Sequence, residues 1–356
     1  MAAIYFLGSR LMSFFVKVCS EPASLTIFIF LKYYLCCCMR IIDETNHQIA
    51  MAVNIFEENV ERLPRVAAVG DVIVLCCVEI LHFCEAAKDE WIIFAWDGTN
   101  TPPNVICSKL EEEINSPLPL QLEPLPLSRE VLCTLPVVGS ILRMTFDADL
   151  VKNHLHLLNV DKWVKFMNMR LKVVDGLWLG VFTPQSKLQY TPNEDGLIVE
   201  RQRLSEEWLF PKPSFITEEV NQDHAIPVTL MTVLTHSEVT AKFKCVVRVV
   251  AATPCQAENL LSSTGEYRMR LTLEDSTARI HAFVTAKDGE VLFDGYPDID
   301  ELTRKLNILL GVNEVKDAPR NPPWVCVCLK SFCVSKTDVW SSRTFKIFDT
   351  KIVGDT

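Results

Sequence analysis

His154 and His156 stand two residues apart, with Asp147 and Asp149 upstream, and form the nearest approach to a metal-ligand cluster in this chain. On a strand the two imidazoles would point to one side, but a zinc-like site needs further ligands at loop spacing, and none follows. No phosphate-cradling glycine loop and no nucleophile elbow is present. The expectation is therefore no metal, no cofactor and no enzyme. A different chemistry is open to Trp91, Phe94 and Trp96, and to the locally basic run of Lys162, Lys165, Arg170, Lys172 and Lys187. Aromatic faces stack on unpaired bases for about 1–3 kcal/mol each while basic side chains follow the phosphates. Against that, the three rings alternate at strand period, which sends one or two of them into a core, and lysines on a hairpin are most often solvated surface.

Charge limits what such a grip can be. The chain of 356 residues carries a net charge of −10, divided as −1 over residues 1–78 (6 basic, 7 acidic), −9 over 79–223 (13 and 22) and 0 over 224–356 (16 and 16). Non-specific nucleic-acid binding is driven by phosphate neutralisation, so any such site here must be local. With 49% hydrophobic residues the chain can hold two or three domains with real cores. Its 14 cysteines include the contiguous Cys36, Cys37 and Cys38, the adjacent Cys76 and Cys77, and the strand-like Cys326, Cys328 and Cys333. None has the paired spacing of a zinc site, and reduced, buried thiols of a nuclear or cytosolic protein are the expectation.

The elements that must position these residues are β. Asp-X-Thr closes an apolar run three times, at Met39 to Thr45, Trp91 to Thr99 and Tyr267 to Thr277, each reading as a strand that enters a tight turn. In the carboxy-terminal third, Lys242 to Ala252, Tyr267 to Glu274 and Ala278 to Ala286 read as three strands. A helix follows over Asp298 to Leu310, with acids in its first turn and Gly311 at its end, and Trp324 to Val334 and Arg343 to Val353 supply strands four and five. Three strands, a helix and two strands is the order of an OB-fold, a five-stranded Greek-key barrel used for oligonucleotides and protein partners. The middle region repeats this less cleanly, with strands at Val72 to Ala86 and Glu90 to Trp96 and a hairpin of Trp163 to Val174 with Leu177 to Thr183. Between them the proline-rich Pro117 to Pro126 reads as a loop.

The amino-terminal part is incomplete by the same measure. Asp43 and Asp97 lie too close together to enclose a whole barrel, leaving one hairpin over Ile41 to Phe56 and a turn at Leu63 to Asp71. Residues 1–38 read as an apolar leader unrelated to the fold; Leu25 to Cys38 is interrupted by Lys32 and falls short of the roughly 20 residues of a spanning helix. No membrane association is expected.

Val53 to Ile73 (VNIFEENVERLPRVAAVGDVI), Cys84 to Pro103 (CEAAKDEWIIFAWDGTNTPP), Leu234 to Pro254 and Asp317 to Ser331 closely resemble plant protection-of-telomeres proteins, over about residues 39–353. The resemblance implies tandem OB-folds that grip a single-stranded, G-rich telomeric overhang, and a carboxy-terminal OB-fold that engages a telomerase or shelterin-type partner. It places Phe56 at a base-stacking phenylalanine, and Phe146 and Asp147 at an aromatic-aspartate pair near the DNA groove. The chain departs from the pattern by lacking the family's first strand and by passing to the second barrel near Glu79.

The expectation is a mainly β protein of tandem OB-folds, the first incomplete: a leader over 1–38, a truncated first OB-fold over 39–78, a second over 79–205, a linker over 206–225 and a partner-binding OB-fold over 226–356. The implied function is telomere-end protection in the nucleus, at the chromosome end. A protein-interaction form acting through the carboxy-terminal barrel, with DNA binding lost, is the alternative.

Overall fold

The computed structural model describes residues 78–86, 90–96, 98, 106–113, 116–120, 122, 127–146, 158–166, 169, 177, 179–184, 186–190, 198–199, 202, 216–221, 226–312, 318–335 and 337–353, and the backbone alone at 16–18, 28–29, 35–43, 46–57, 72–77, 87, 114, 147, 167–168, 170–174 and 178. The chain divides into two units, residues 1–98 with 141–204, and residues 99–140 with 205–356. Residues 99–140, which the sequence reading kept within a continuous second barrel, thus group with the carboxy-terminal unit. Most of the leader, the turn at Leu63 to Asp71 and most of the linker over 206–225 lie outside the described residues.

In the first unit, four strands, β1 (Val16–Val18), β2 (Phe28–Ile29), β3 (Leu35–Asp43) and β4 (Asn46–Glu57), precede β5 (Val72–Ala87). The β3–β4 hairpin runs from Leu35 opposite Glu57 to Asp43 opposite Asn46, and β1 bridges β3 to β5 in one continuous sheet. Five more strands follow: β6 (Glu90–Trp96), β7 (Leu142–Asp147), β8 (Trp163–Val174), β9 (Leu177–Val181) and β10 (Lys187–Tyr190). β5 pairs with β8 through Ile73–Glu79 and with β6 through Glu79–Ala87, so one long strand serves two neighbours. With β6–β7 antiparallel, β7–β9 parallel and β9–β8 antiparallel, the pairing closes on itself, the strand order of an OB-fold. Register shifts in β5 at Val74/Cys76, Ile80/His82 and Glu85/Ala87 give it the bend that closure demands. Its core holds Val78, Ile80, Ile93, Met144, Phe146, Val164, Phe166 and Met169.

The carboxy-terminal unit repeats the same logic. Ahead of the barrel lie β11 (Thr217–Glu219) and a short helix, Leu230–Thr235; then come β12 (Lys242–Thr253), β13 (Arg268–Glu274), β14 (Arg279–Thr285), β15 (Trp324–Cys333), β16 (Arg343–Phe348) and β17 (Thr350–Ile352). β12 to β16 form a closed barrel in the order β12-β13-β14-β16-β15, with β14 and β16 parallel. β12 pairs with β15 over Lys242–Arg248 and with β13 over Arg248–Thr253, bending at a register shift between Val249 and Ala251. Cys245 to Ala252 is buried without alternation. Cys245, Val247 and Val249 fill the barrel, while Val246 on the other face packs against Val138 and Trp324. A strand covered on both faces reads as a continuous apolar run.

The helix Ile299–Leu310 sits between β14 and β15 and buries Leu302, Leu306, Leu309 and Leu310 in the barrel core. Asp298 caps its start, its Oδ1 accepting from the Glu301 N–H at 2.9 Å. Gly311 ends it at φ 62°, and a Cβ there would meet the Asn321 carbonyl carbon at 2.2 Å, so both the left-handed backbone and the close approach demand glycine.

The third Asp-X-Thr signature is a clasp. Asp275 is buried; its Oδ1 accepts from the Thr277 N–H (2.7 Å), the Thr277 hydroxyl (2.6 Å) and the Ala278 N–H (2.9 Å), and its Oδ2 from the Leu230 N–H (2.6 Å). Thr277 Oγ1 accepts from the Met231 N–H in turn at 3.0 Å. The β13–β14 turn therefore ties down the first turn of the helix Leu230–Thr235, whose Leu230 and Val233 are fully buried. Burial lifts the Asp275 carboxyl to about 6, against the pull of its donors. Beside it, Glu274 receives Arg279 Nε at 2.6 Å and Arg248 Nη1 at 3.4 Å, one buried carboxylate between two guanidiniums.

Candidate nucleic-acid interface

The outer face of a barrel takes ligand only where side chains leave the core, so exposure sorts the sequence candidates. Phe94 is 0% exposed and lies beside His82 at 6.1 Å between ring centroids. Trp96 is buried too. Phe146 is 3% exposed, with Phe182 at 4.7 Å and Phe166 at 6.1 Å, and is part of the barrel core. All three rings are buried here: Phe146 points into the barrel core with Met144, while Phe94, across from Arg143, and Trp96 lie on the other face of β6 from the core residues Ile93 and Ala95. Trp91 is half-buried on the same face as Phe146, directly across from it, and packs with Phe83 (6.1 Å) against the edge of the barrel core. Of these four rings Trp91 alone keeps a partly open face. Phe56 lies in β4 opposite Cys36, and its side chain, like those of Asp147, Arg170 and Lys172, lies outside the described residues.

The basic candidates divide differently. Lys162 is exposed in the turn that leads into β8. Lys165 and Lys187 are half-buried on neighbouring strands: Lys165 faces Gln189 and Lys187 faces Met167, so the two lysines are diagonal neighbours on one face. Among the described residues no group of three or more His, Cys, Asp or Glu side chains could hold a metal ion, and His154, His156 and Asp149 lie outside them. The described cysteines are free thiols; burial raises Cys326 to about 11 and Cys328 to about 12, which keeps both protonated and unreactive. No helix among the described residues is long and apolar enough to cross a membrane.

A second surface, in the carboxy-terminal unit, escaped sequence reasoning. A cavity of about 860 Å³ opens beside the outer faces of β13, β14 and β16 and is walled by leucines of the segment 120–132. Four arginines (Arg129, Arg270, Arg279 and Arg343) and His281 line it, and no carboxylate does among the described residues. Arg270 pairs directly across from Phe283, which is 38% exposed. The Nε atoms of Arg270 and Arg343 are buried without a hydrogen-bond partner among the described residues. His281 is held below the ordinary histidine range by burial and then by the Arg270 charge. The loop between β15 and β16 carries Trp340, 57% exposed, with the Arg343 guanidinium 5.7 Å from its ring centre. Isolated arginines carry no periodic signal; the β13–β14 register aligns Arg270 with Phe283, and the fold brings Arg343 of β16 and Arg129 beside them.

Two family models match the chain: one described as telomeric single-stranded DNA binding POT1/CDC13, over residues 15–116, and one described as a POT1A-like OB-fold domain, over residues 212–338. Among curated relatives, Protection of telomeres protein 1b of Arabidopsis thaliana is 40% identical over 295 residues, covering 80% of this chain and 63% of that protein. Protection of telomeres protein 1a of the same plant is 36% identical over 291 residues, covering 77% and 60%. The chain therefore spans less than two thirds of the length of these relatives. A solved structure of fission yeast Pot1 and Tpz1 aligns at 16% identity with a TM-score of 0.31, over 38% of this chain and 96% of that one, too slight a likeness to bear on the fold. Two matched models and long alignments to two relatives, on a chain of OB-type strand order, make it a member of the plant protection-of-telomeres-like family.

Proposed function

We propose that this chain binds single-stranded, G-rich telomeric DNA and acts in telomere-end protection at the chromosome end in the nucleus, as a binding protein rather than an enzyme. The observation that carries the reading is the closed β5-β6-β7-β9-β8 pairing, in a chain 40% identical to a protection of telomeres protein. Its first strands fall in the segment matched by a model for telomeric single-strand binders. In the first unit Lys165 and Lys187, diagonal on one face, follow phosphates, and the open face of Trp91 is available for stacking. Capping of the overhang and control of telomerase access would follow from occupying it. The test is equilibrium binding of a labelled G-rich strand across a salt series. Lys165→Gln with Lys187→Gln should lower the salt slope by about 1.4, at roughly 0.7 per phosphate contact on a single strand. An unchanged slope would remove these lysines from the interface.

A second reading has the carboxy-terminal unit engage a telomerase or shelterin-type protein partner. The balanced charge of residues 224–356 supports it, since partner surfaces need not be basic. Co-purification of such a partner with residues 1–356 tests it, and loss of the partner on removal of residues 226–356 is the expected result.

A further inference from the structure

We propose that the carboxy-terminal barrel carries its own single-stranded nucleic-acid site, on the outer face of β13 and β14 and the loop between β15 and β16, with Arg270, Phe283, Trp340 and Arg343 as its contacts. The inference rests on the reading of the chain as a single-strand binder and adds a surface that this reading does not use.

In an OB-fold the face of strands two and three, with the loops joining strands one to two and four to five, is where oligonucleotides lie. β13 and β14 are strands two and three of this barrel, and residues 334–342 are its four-to-five loop. The face has the two ingredients that a single strand needs. One is a pair of guanidiniums that no described lining carboxylate faces: Arg270 and Arg343 look onto the groove, beside Arg279, which is paired with Glu274, in a chain with ten more acids than bases. Arg270 Nε and Arg343 Nε lack hydrogen-bond partners among the described residues, and Arg270 disfavours a charge on His281 beside it. A phosphate seated in the groove would meet the positive charge of these guanidiniums. The other ingredient is exposed ring surface: Phe283 lies directly across from Arg270. Trp340 is held by the Arg343 guanidinium, which also lies 5.5 Å from the Phe345 ring centre. Planar guanidiniums and open aromatic faces side by side suit bases and phosphates in alternation.

A peptide is the less fitting occupant. β13 lies between β12 and β14, and β14 between β13 and β16, so this face offers no free strand edge to which a peptide strand could be added. The chain's own Leu120, Leu122 and Leu132 already stand along the apolar side of the groove.

The experiment uses the whole chain. A G-rich single strand carrying photoreactive thymidine analogues is cross-linked and the attached peptides are mapped, while fluorescence anisotropy follows binding of wild type, Arg270→Gln, Phe283→Ala and Trp340→Ala across a salt series. Phe283 and Trp340 are exposed enough for these changes to leave folding intact, which circular dichroism checks. Cross-links on peptides containing Phe283 or Trp340, an approximately tenfold loss of affinity in each alanine variant, and a salt slope smaller by about 0.7 in Arg270→Gln are the expected results. Cross-links confined to residues 72–190, with all three variants binding as wild type does, would overturn the proposal while leaving the single-strand reading intact. Protection of Phe283 and Trp340 by an acidic, leucine-bearing peptide but not by the strand would make this a peptide groove and overturn it too. Absence of any binding by the wild-type chain would instead remove the functional reading and this inference with it.

Discussion

Replacing Asp275 with alanine tests the account of the carboxy-terminal barrel at its most connected residue. The change removes the acceptor of the Thr277, Ala278 and Leu230 N–H groups and of the Thr277 hydroxyl, all inside a site that Asp275 fills at 2% exposure. A buried donor left unsatisfied costs about 1–3 kcal/mol. Three backbone donors therefore set a gross loss of about 3–9 kcal/mol, from which water entering the vacated space recovers part. The expected net cost is about 3–5 kcal/mol at pH 7, in the range reserved for broken buried networks. Its pH dependence has a definite sign. The folded carboxyl titrates near 6 instead of the ordinary 3.8, so between those values the folded state holds a proton that the unfolded chain has released. Wild-type stability therefore falls as pH rises from about 4 to 6, by about 3 kcal/mol at 1.36 kcal/mol per unit, and is level above. The cost of Asp275→Ala should accordingly be larger at pH 4 than at pH 7. Urea unfolding at the two pH values, with hydrogen exchange read on the peptide spanning Leu230–Thr235, measures both quantities. A variant within about 1 kcal/mol of wild type at pH 7, or a cost that shrinks on acidification, would refute the reasoning.

Glu274→Ala should destabilise the same unit by about 3–5 kcal/mol, because it strands Arg248, which is 1% exposed, without its carboxylate; a urea midpoint shift with an unchanged slope is the signature. Gly311→Ala should cost at least about 2 kcal/mol, since the new Cβ meets the Asn321 backbone at 2.2 Å in a left-handed turn, and thermal unfolding reads it. Phe146→Ala should cost about 3–5 kcal/mol through the cavity left among Phe166 and Phe182. Any loss of DNA binding should then track the unfolded fraction, which a titration at several urea concentrations separates from a lost contact.

Both strand sets were readable where the chain alternates or runs apolar between turn residues. Trp163–Val174 and Glu90–Trp96 have the bounds that their composition suggests. The helix Ile299–Leu310 starts and stops at its capping residues, Asp298 and Gly311. β7 was not legible, since Arg143 sits inside Leu142–Asp147 and is itself buried. Nor was the grouping of residues 99–140 with the carboxy-terminal unit, because contacts such as the hydrogen bond from Ser276 Oγ to Pro136 O span 140 positions. Among the candidate site residues, composition identified the ring types but not their direction. Phe146 became core through register, and Phe94 is buried on the opposite face of β6, neither of which a single sequence specifies. The Arg270–Phe283 pair shows the converse: two unremarkable residues become neighbours only across the β13–β14 ladder.

The central claim, that this chain grips a telomeric single strand, is tested most directly by binding of the 356-residue protein to a labelled G-rich telomeric strand against a base-shuffled strand of equal length, from low to physiological salt. The account predicts tighter binding of the telomeric strand at every salt concentration and a log–log salt slope that corresponds to a few phosphate contacts. Equal affinity for the two strands, or no binding by protein whose two units are demonstrably folded, would contradict it.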